Sequence, residues 1–125
     1  MGLFRRNAAR RRAEVAAALA ARGVSGRATV VALRPTGVAR DDGAVELELT
    51  LDVEAPGRAP QRVVHRQLMG RFLRHGLAPG EPALILYDRD DPRTLLVRGH
   101  PRVRSEIVDG ELVVVEEAPL QAPRR

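Results

Sequence analysis

The chain has 125 residues, a net charge of +5 and a hydrophobic content of 44%, so its length and composition favour one globular domain with one core. It contains no cysteine, which excludes disulfides, thiolate metal sites and thiol nucleophiles and is typical of a cytoplasmic protein. All 21 basic residues are arginine, so Schiff-base chemistry through lysine is excluded as well.

The excess positive charge lies in residues 1–22, which we name the basic arm. The arm holds six arginines against Glu14, whereas the rest of the chain holds 15 arginines and 15 acidic residues. Alanine-rich residues 7–22 are predicted to form a helix, with Asn7 as its N-cap and Gly23 just beyond its end. Two interpretations stay open: a solvated helix that rests one edge on the domain, or an arm that contacts a polyanion or an acidic partner. The second would use Arg5, Arg6, Arg10, Arg11 and Arg12.

After the arm, the pattern changes to that of β-strands joined by turns. Residues 27–34 are rich in β-branched side chains, and we expect this strand to end at Pro35. An Asp-Gly pair that follows is typical of a hairpin turn. Residues 45–54 alternate apolar and polar side chains, which predicts a half-buried strand with an acidic outer face. Arg62 and Arg66 of the next strand could pair with that face.

The second half of the chain continues with short strands between turns. Residues 68–75 lose the alternation and carry apolar side chains four apart, which predicts a short helix that ends at Gly76. The last two strands are expected to form a hairpin about Asp109-Gly110. Strands are predicted over residues 62–68, 83–87, 94–98, 103–108 and 111–117, and residues 118–125 are predicted to form a frayed tail.

The order of these elements predicts the architecture. Three strands, a short helix and two strands follow one another in the same order as in the OB-fold. We therefore predict a mainly β fold: a small OB-like β-barrel domain over residues 26–117, with an N-terminal α-helix before it and an appended C-terminal β-hairpin at its end.

The segment YDRDDPRT, residues 87–94, concentrates three aspartates and could be a metal site, a catalytic carboxylate cluster or a turn. An EF-hand calcium loop that began at its first aspartate would need glycine and glutamate where Arg93 and Gly99 stand. A turn accounts for every residue, because Asp91 can cap a helical turn whose first position is Pro92. We therefore predict that this segment is structural.

Side chains suited to catalysis are few and scattered. The three histidines, His65, His75 and His100, lie far apart in the sequence, and no spacing pairs a base with Ser25 or Ser105. We predict that the protein is not an enzyme and has no catalytic, cofactor-binding or metal-binding residues.

Residues 26–97 resemble a small β-barrel domain of unknown function that occurs in high-G+C Gram-positive bacteria, in some proteins alongside short C-terminal (SHOCT) domains. The resemblance implies a β-fold and a turn at the aspartate segment, and it carries no catalytic residues. It rests on the motifs GRATVV from residue 26, TGV at 36–38, LxLxV at 49–53, PG at 56–57, RQ at 66–67, LAPG at 77–80 and YDRDDP at 87–92.

These observations predict a non-catalytic, cytoplasmic protein-interaction or structural module. The neutral barrel would act as a rigid scaffold, and the arm or the terminal hairpin would meet a protein partner. The alternative is non-specific binding of nucleic acid or an anionic surface through the arginine-rich helix. Base stacking by the barrel is disfavoured, because only Phe4, Phe72 and Tyr87 are aromatic.

Overall fold

The computed structural model describes residues 2–116, with side chains described for all of these except residues 2–9, 104–107, 112, 114 and 116. The predicted frayed tail, residues 118–125, lies outside the described residues. The elements of the described chain are α1 (Gly2–Arg22), β1 (Val24–Ala39), β2 (Val45–Glu54), β3 (Gln61–Met69), α2 (Arg71–Arg74), β4 (Pro82–Tyr87), β5 (Leu95–Gly99), β6 (Val103–Val108) and β7 (Glu111–Glu116).

Five antiparallel strands form one sheet in the order β3-β2-β1-β4-β5, which curls into a half-barrel. The long strand β1 joins the two halves of the curl, because residues 27–39 pair with β2 and residues 24–29 pair with β4. Strands β6 and β7 pair with each other in a separate two-stranded sheet. The predicted mainly β, barrel-like fold with an N-terminal helix and a short second helix is confirmed.

The core lies inside the curl. Strand β2 contributes alternate residues to it, and Leu49 and Leu51 are 0% exposed, so the predicted buried face is confirmed. Burial of each such leucine side chain stabilises the fold by about 1.5–3 kcal/mol. The core is completed from β2 and the other strands by Ala28, Val30, Leu47, Val53, Val63, Met69, Ala83, Ile85, Tyr87, Leu95 and Val97.

Two predicted boundaries near the N-terminus are wrong. Helix α1 begins at Gly2, so Asn7 lies within the helix and is not its N-cap. Strand β1 does not end at Pro35 but continues to Ala39. Beyond Thr29, β1 has left β4 and keeps only β2 as a neighbour, so the missing N–H of Pro35 can face away from the ladder.

The predicted short helix is shorter than expected. Helix α2 spans only Arg71–Arg74, because Leu68 and Met69 remain in β3 and pair with Glu46 and Val45 of β2. The apolar residues whose spacing predicted a longer helix lie partly at the end of β3 and partly in the single helical turn of α2. Tertiary pairing has overridden the local pattern here.

The predicted turns form with the expected geometry. Gly57 has φ of 76°, as the third position of a type II turn requires, and Arg58 N–H donates to the Ala55 carbonyl oxygen at 3.2 Å. Asp109 and Gly110 have φ of 52° and 81°, which is the type I′ geometry that joins β6 to β7. The turn residues therefore set which strands become hairpins.

Strands β3 and β5 are the two edges of the curled sheet, and we name the line where they meet the seam. Within the described chain each of these strands has one paired neighbour, and a side chain bridges the seam instead of a ladder. The Gln67 amide Nε2 donates to the Val97 carbonyl oxygen at 3.0 Å, and the Val97 N–H donates to Gln67 Oε1 at 2.9 Å. A primary amide supplies the donor and the acceptor of a peptide group, so Gln67 closes the barrel in place of a strand pair.

Replacing Gln67 with leucine should lower the free energy of unfolding by roughly 2–4 kcal/mol, because leucine leaves the N–H and C=O of Val97 without partners. Gln61→Leu on the same strand is the matched control, and we expect it to stay within about 0.5 kcal/mol of the wild type. Denaturant unfolding measures both. Equal effects of the two substitutions would contradict the bridging role of Gln67.

Candidate functional site

A groove of about 580 Å³ lies between α1 and the seam, and we name it the seam groove. Among the described residues that line it, the charged side chains are the guanidinium groups of Arg11, Arg12 and Arg66, and none carries a carboxylate. The other lining residues are Ala13, Val15, Ala16, His65, Gln67, Leu68, Leu95 and Leu96. The site is thus apolar over most of its surface, with a cationic rim.

Two polar side chains of β3 form part of the groove wall. His65 Nε2 lies 2.8 Å from Gln67 Oε1, and because an amide oxygen can only accept, the imidazole nitrogen carries the proton and donates it. Burial lowers the pKa of His65, since it disfavours the imidazolium, although the hydrogen bond to Gln67 acts in the opposite direction. A neutral polar chain therefore runs from His65 through Gln67 to the backbone of Val97.

Helix α1 is attached to the barrel at two points. Near its end, Leu19 is 4% exposed, and the helix contacts β4 and β5. Near its middle, Arg12 Nη1 lies 3.3 Å from Glu46 Oε2, and Glu46 Oε1 accepts from the Thr36 hydroxyl at 2.7 Å. Of the two interpretations of the arm, the described contacts correspond to a helix that rests one edge on the domain.

The five arginines predicted to contact a polyanion or a partner differ in their surroundings. Arg10 and Arg11 are exposed, and Arg11 lines the seam groove. Arg12 lines the same groove but also holds the carboxylate of Glu46. The side chains of Arg5 and Arg6 lie outside the described residues.

The outer face of β2 carries the acidic residues that the alternation predicted, and arginines from neighbouring strands pair with them. Glu48 bridges Arg66 at 2.9 Å and Arg34 at 3.1 Å, and these hydrogen bonds, that to Arg66 first, lower the pKa of Glu48. Asp52 pairs with Arg62 at 2.9 Å, and the same hydrogen bond lowers the pKa of Asp52. The pairing that Arg62 and Arg66 could make is therefore confirmed.

One member of that outer face is not exposed. Glu46 is only 4% exposed, because α1 lies over this end of β2 and Leu68 stands beside it on β3. A buried carboxylate needs partners, and Arg12 and Thr36 supply them. The sequence pattern placed Glu46 on the correct face but could not show that a helix covers it.

The aspartate segment forms the predicted turn. Asp91 Oδ1 accepts from Arg93 N–H at 3.2 Å, and Asp91 Oδ2 accepts from the Thr94 hydroxyl at 3.1 Å. Asp88 Oδ1 accepts from Asp90 N–H at 2.8 Å. Among the described residues, no group of three His, Asp or Glu side chains is arranged to hold a metal ion. The aspartates thus satisfy backbone and hydroxyl donors within their own loop.

A smaller cavity of about 360 Å³ separates this turn from the end of α1. Arg22 and Val15 of the helix line it together with Asp88 and Asp90. Its described lining carries both positive and negative side chains, so its surface is less uniform in charge than that of the seam groove.

A buried polar cluster lies at the base of the terminal hairpin, and no sequence pattern predicted it. His100 is 2% exposed, and its Nδ1 accepts from Arg102 N–H at 3.0 Å. His100 Nε2 lies 3.8 Å from Glu81 Oε2, and Arg102 Nη2 lies 3.5 Å from Glu81 Oε1. These contacts tie the segment after β5 to the loop before β4. An isolated histidine beside proline and glycine carries no periodic signal, so only the fold reveals this cluster.

No protein-family model, curated protein or solved structure matches the chain. The case for a function therefore rests on the geometry of the described residues. Among those residues, no helix combines the length and the apolar character that crossing a membrane requires.

The stability of the protein should fall as the pH is lowered below about 6.5, because His65 in the unfolded chain then gains a proton that the folded chain resists. The loss should stop once the pH lies below the folded-state pKa. His65→Asn should weaken the dependence of the free energy of unfolding on pH between about pH 7 and 5. Most carboxylates titrate below this range, so they contribute little to the change there. Denaturant unfolding at several pH values measures this effect, and an unchanged dependence in the variant would contradict it.

Proposed function

We propose that this protein is a non-catalytic β-barrel module that binds a protein partner through the seam groove. The observation that carries the proposal is the lining of that groove: six apolar residues, one amide, one imidazole and three guanidinium groups, without a carboxylate. A concave, largely apolar surface with a few polar groups at its edge is what binding sites commonly offer. Protein interfaces commonly surround an apolar centre with a polar rim, and arginine is enriched in them.

The lining supports binding rather than catalysis. It contains no hydroxyl, thiol or carboxylate side chain that could act as a nucleophile beside His65. The imidazole Nε2 carries a hydrogen that it donates to Gln67, so this nitrogen has no free lone pair with which to accept a proton from a substrate. Among its described lining residues there is also no phenylalanine, tyrosine or tryptophan on which a base could stack, which favours a protein over a single-stranded nucleic acid.

A photo-crosslinking amino acid at Ala16, which lines the groove, should yield a defined protein adduct in the cells that produce the protein. The same amino acid at Val38, which is 50% exposed on the far part of β1 and outside the groove lining, is the matched control. Mass spectrometry of the adducts provides the measurement. An identical adduct pattern at both positions, or none at Ala16, would overturn the proposal.

Polyanion binding by the basic arm is a second candidate function, and a different observation favours it. The barrel arginines Arg34, Arg62 and Arg66 hold carboxylates of β2, whereas Arg10 and Arg11 are exposed on α1. The positive charge offered to a polyanion would then be that of the arm. Such binding would be non-specific and sensitive to salt, because it works by the release of counterions.

Replacing Arg10 and Arg11 together with glutamine should weaken duplex DNA binding and reduce the log–log salt slope by roughly 2, at about 0.9 for each lost phosphate contact. Arg12 is left in place because it holds Glu46. The matched control replaces Arg93 and Arg98, which are exposed on the barrel, and removes the same charge. Gel shifts at several salt concentrations compare the two, and equal losses would contradict a role for the arm.

A further inference from the structure

The seam groove is bounded on one side by the edge of a β-strand, and this suggests what kind of partner segment it accepts. We infer that the groove binds an extended, acidic segment of a partner protein, which adds to the edge of β5 as a further strand. The inference rests on the proposed function and specifies the chemistry of the partner at the same site. Three features of the described residues support it.

The first feature is the free edge of β5. On one side β5 pairs with β4, and Val97 stands opposite Ile85 in that ladder. On the other side the described chain supplies no strand. Since Val97 directs its N–H and C=O to the seam, Leu95, two residues before it in the regular part of the ladder to β4, directs its own to the same edge. An edge of this kind is the surface to which extended peptides add.

The second feature is the way in which Gln67 occupies that edge. Its amide makes the two hydrogen bonds to Val97 that a peptide group of a neighbouring strand would make. A partner strand that displaced Gln67 would replace two hydrogen bonds with two of the same kind and add others along β5. The exchange therefore leaves neither the N–H nor the C=O of Val97 unpaired. It avoids the main cost of breaking a buried hydrogen bond, which is that of an unpaired buried group.

The third feature is the match between the groove lining and the side chains of such a segment. Side chains of an extended segment alternate between its two faces. Apolar side chains on one face would meet Leu68 and Leu96, and acidic side chains on the other would meet the arginine rim. Arg11 is the rim residue best placed for this, because it is exposed and has no ion pair among the described side chains. Arg12 and Arg66 already hold Glu46 and Glu48.

The test uses the full chain and a synthetic peptide, acetylated and amidated at its ends, in which glutamate and valine alternate over seven residues. Calorimetry should detect binding, and hydrogen exchange should show slower exchange at Leu95 when the peptide is present. A lysine analogue should bind at least about tenfold more weakly, because it loses its charge-assisted hydrogen bonds to the rim. An analogue N-methylated at alternate residues keeps every side chain but cannot pair as a strand, and its binding should be lost.

Variants of the protein localise the effect. Arg11→Gln should weaken binding of the acidic peptide by about tenfold, as expected for one lost charge-assisted hydrogen bond. Arg10→Gln is the matched control, because it removes the same charge from the adjacent position of α1 but lies outside the groove lining. We expect that substitution to change the affinity less than about twofold, through long-range charge alone.

Several outcomes would overturn the inference. Equal binding of the N-methylated peptide would exclude strand addition, and equal binding of the lysine analogue would exclude recognition of acidic side chains. Binding of octanoate without binding of the peptide would assign the groove to small amphipathic carboxylates. If the acidic peptide fails to bind while the crosslinker at Ala16 yields a protein adduct, this inference falls and the proposed function stands. If the acidic peptide fails to bind and the crosslinker at Ala16 yields no protein adduct, both this inference and the proposed function are wrong.

Discussion

The two hydrogen bonds between the Gln67 amide and the backbone of Val97 join the ends of the curled sheet. A five-stranded antiparallel sheet with a strong twist brings its edge strands towards each other, and each edge then presents backbone groups without a strand partner. In this protein a side chain from β3 satisfies the central pair on β5. How closely that bridge holds the seam determines the rest of the structure. The core lies inside the curl, α1 lies outside it, and the seam groove lies between α1 and the seam.

The distribution of charge follows from the same geometry. Strand β2 carries its acidic residues on the outer face of the curl, and arginines from β1 and β3 lie beside them because the register places Glu48 between Arg34 and Arg66. Exposed pairs of this kind stabilise the fold little, by about 0–1 kcal/mol each. Their larger effect is on the surface potential, because they neutralise the acidic outer face of β2, while the net positive charge of the sequence lies in residues 1–22.

Helix α1 links these two features. Its Leu19 end packs on the barrel, and its middle is held by Arg12 on the buried carboxylate of Glu46. This arrangement places an arginine-bearing helix directly over a strand edge that a single side chain occupies. A groove with one apolar wall, one backbone edge and one cationic rim is therefore a consequence of the fold, and it needs no specialised catalytic residue. Such a surface is the basis of the binding function that we propose.

Much of the fold could be predicted from the sequence, because its signals are local. The alternation of residues 45–54 defined β2 and its buried face, and the Asp-Gly and Pro-Gly pairs marked the turns, since few residues adopt their backbone angles. The capping role of Asp91 was likewise predictable from Pro92 beside it. These features depend on neighbours within a few positions, and so a single sequence carries them.

The tertiary structure alone decided the features that make the site. Pro35 sits inside a strand because β1 has already left β4, and Glu46 is buried because a helix from far along the chain covers it. Gln67 was an unremarkable polar residue at the end of a strand until the curl brought Val97 within hydrogen-bonding distance. Local sequence determined which segments became strands and turns, because propensity and side-chain period act over short distances. The curl of the sheet decided the seam and its groove, because those contacts join residues that the sequence keeps 30 positions apart.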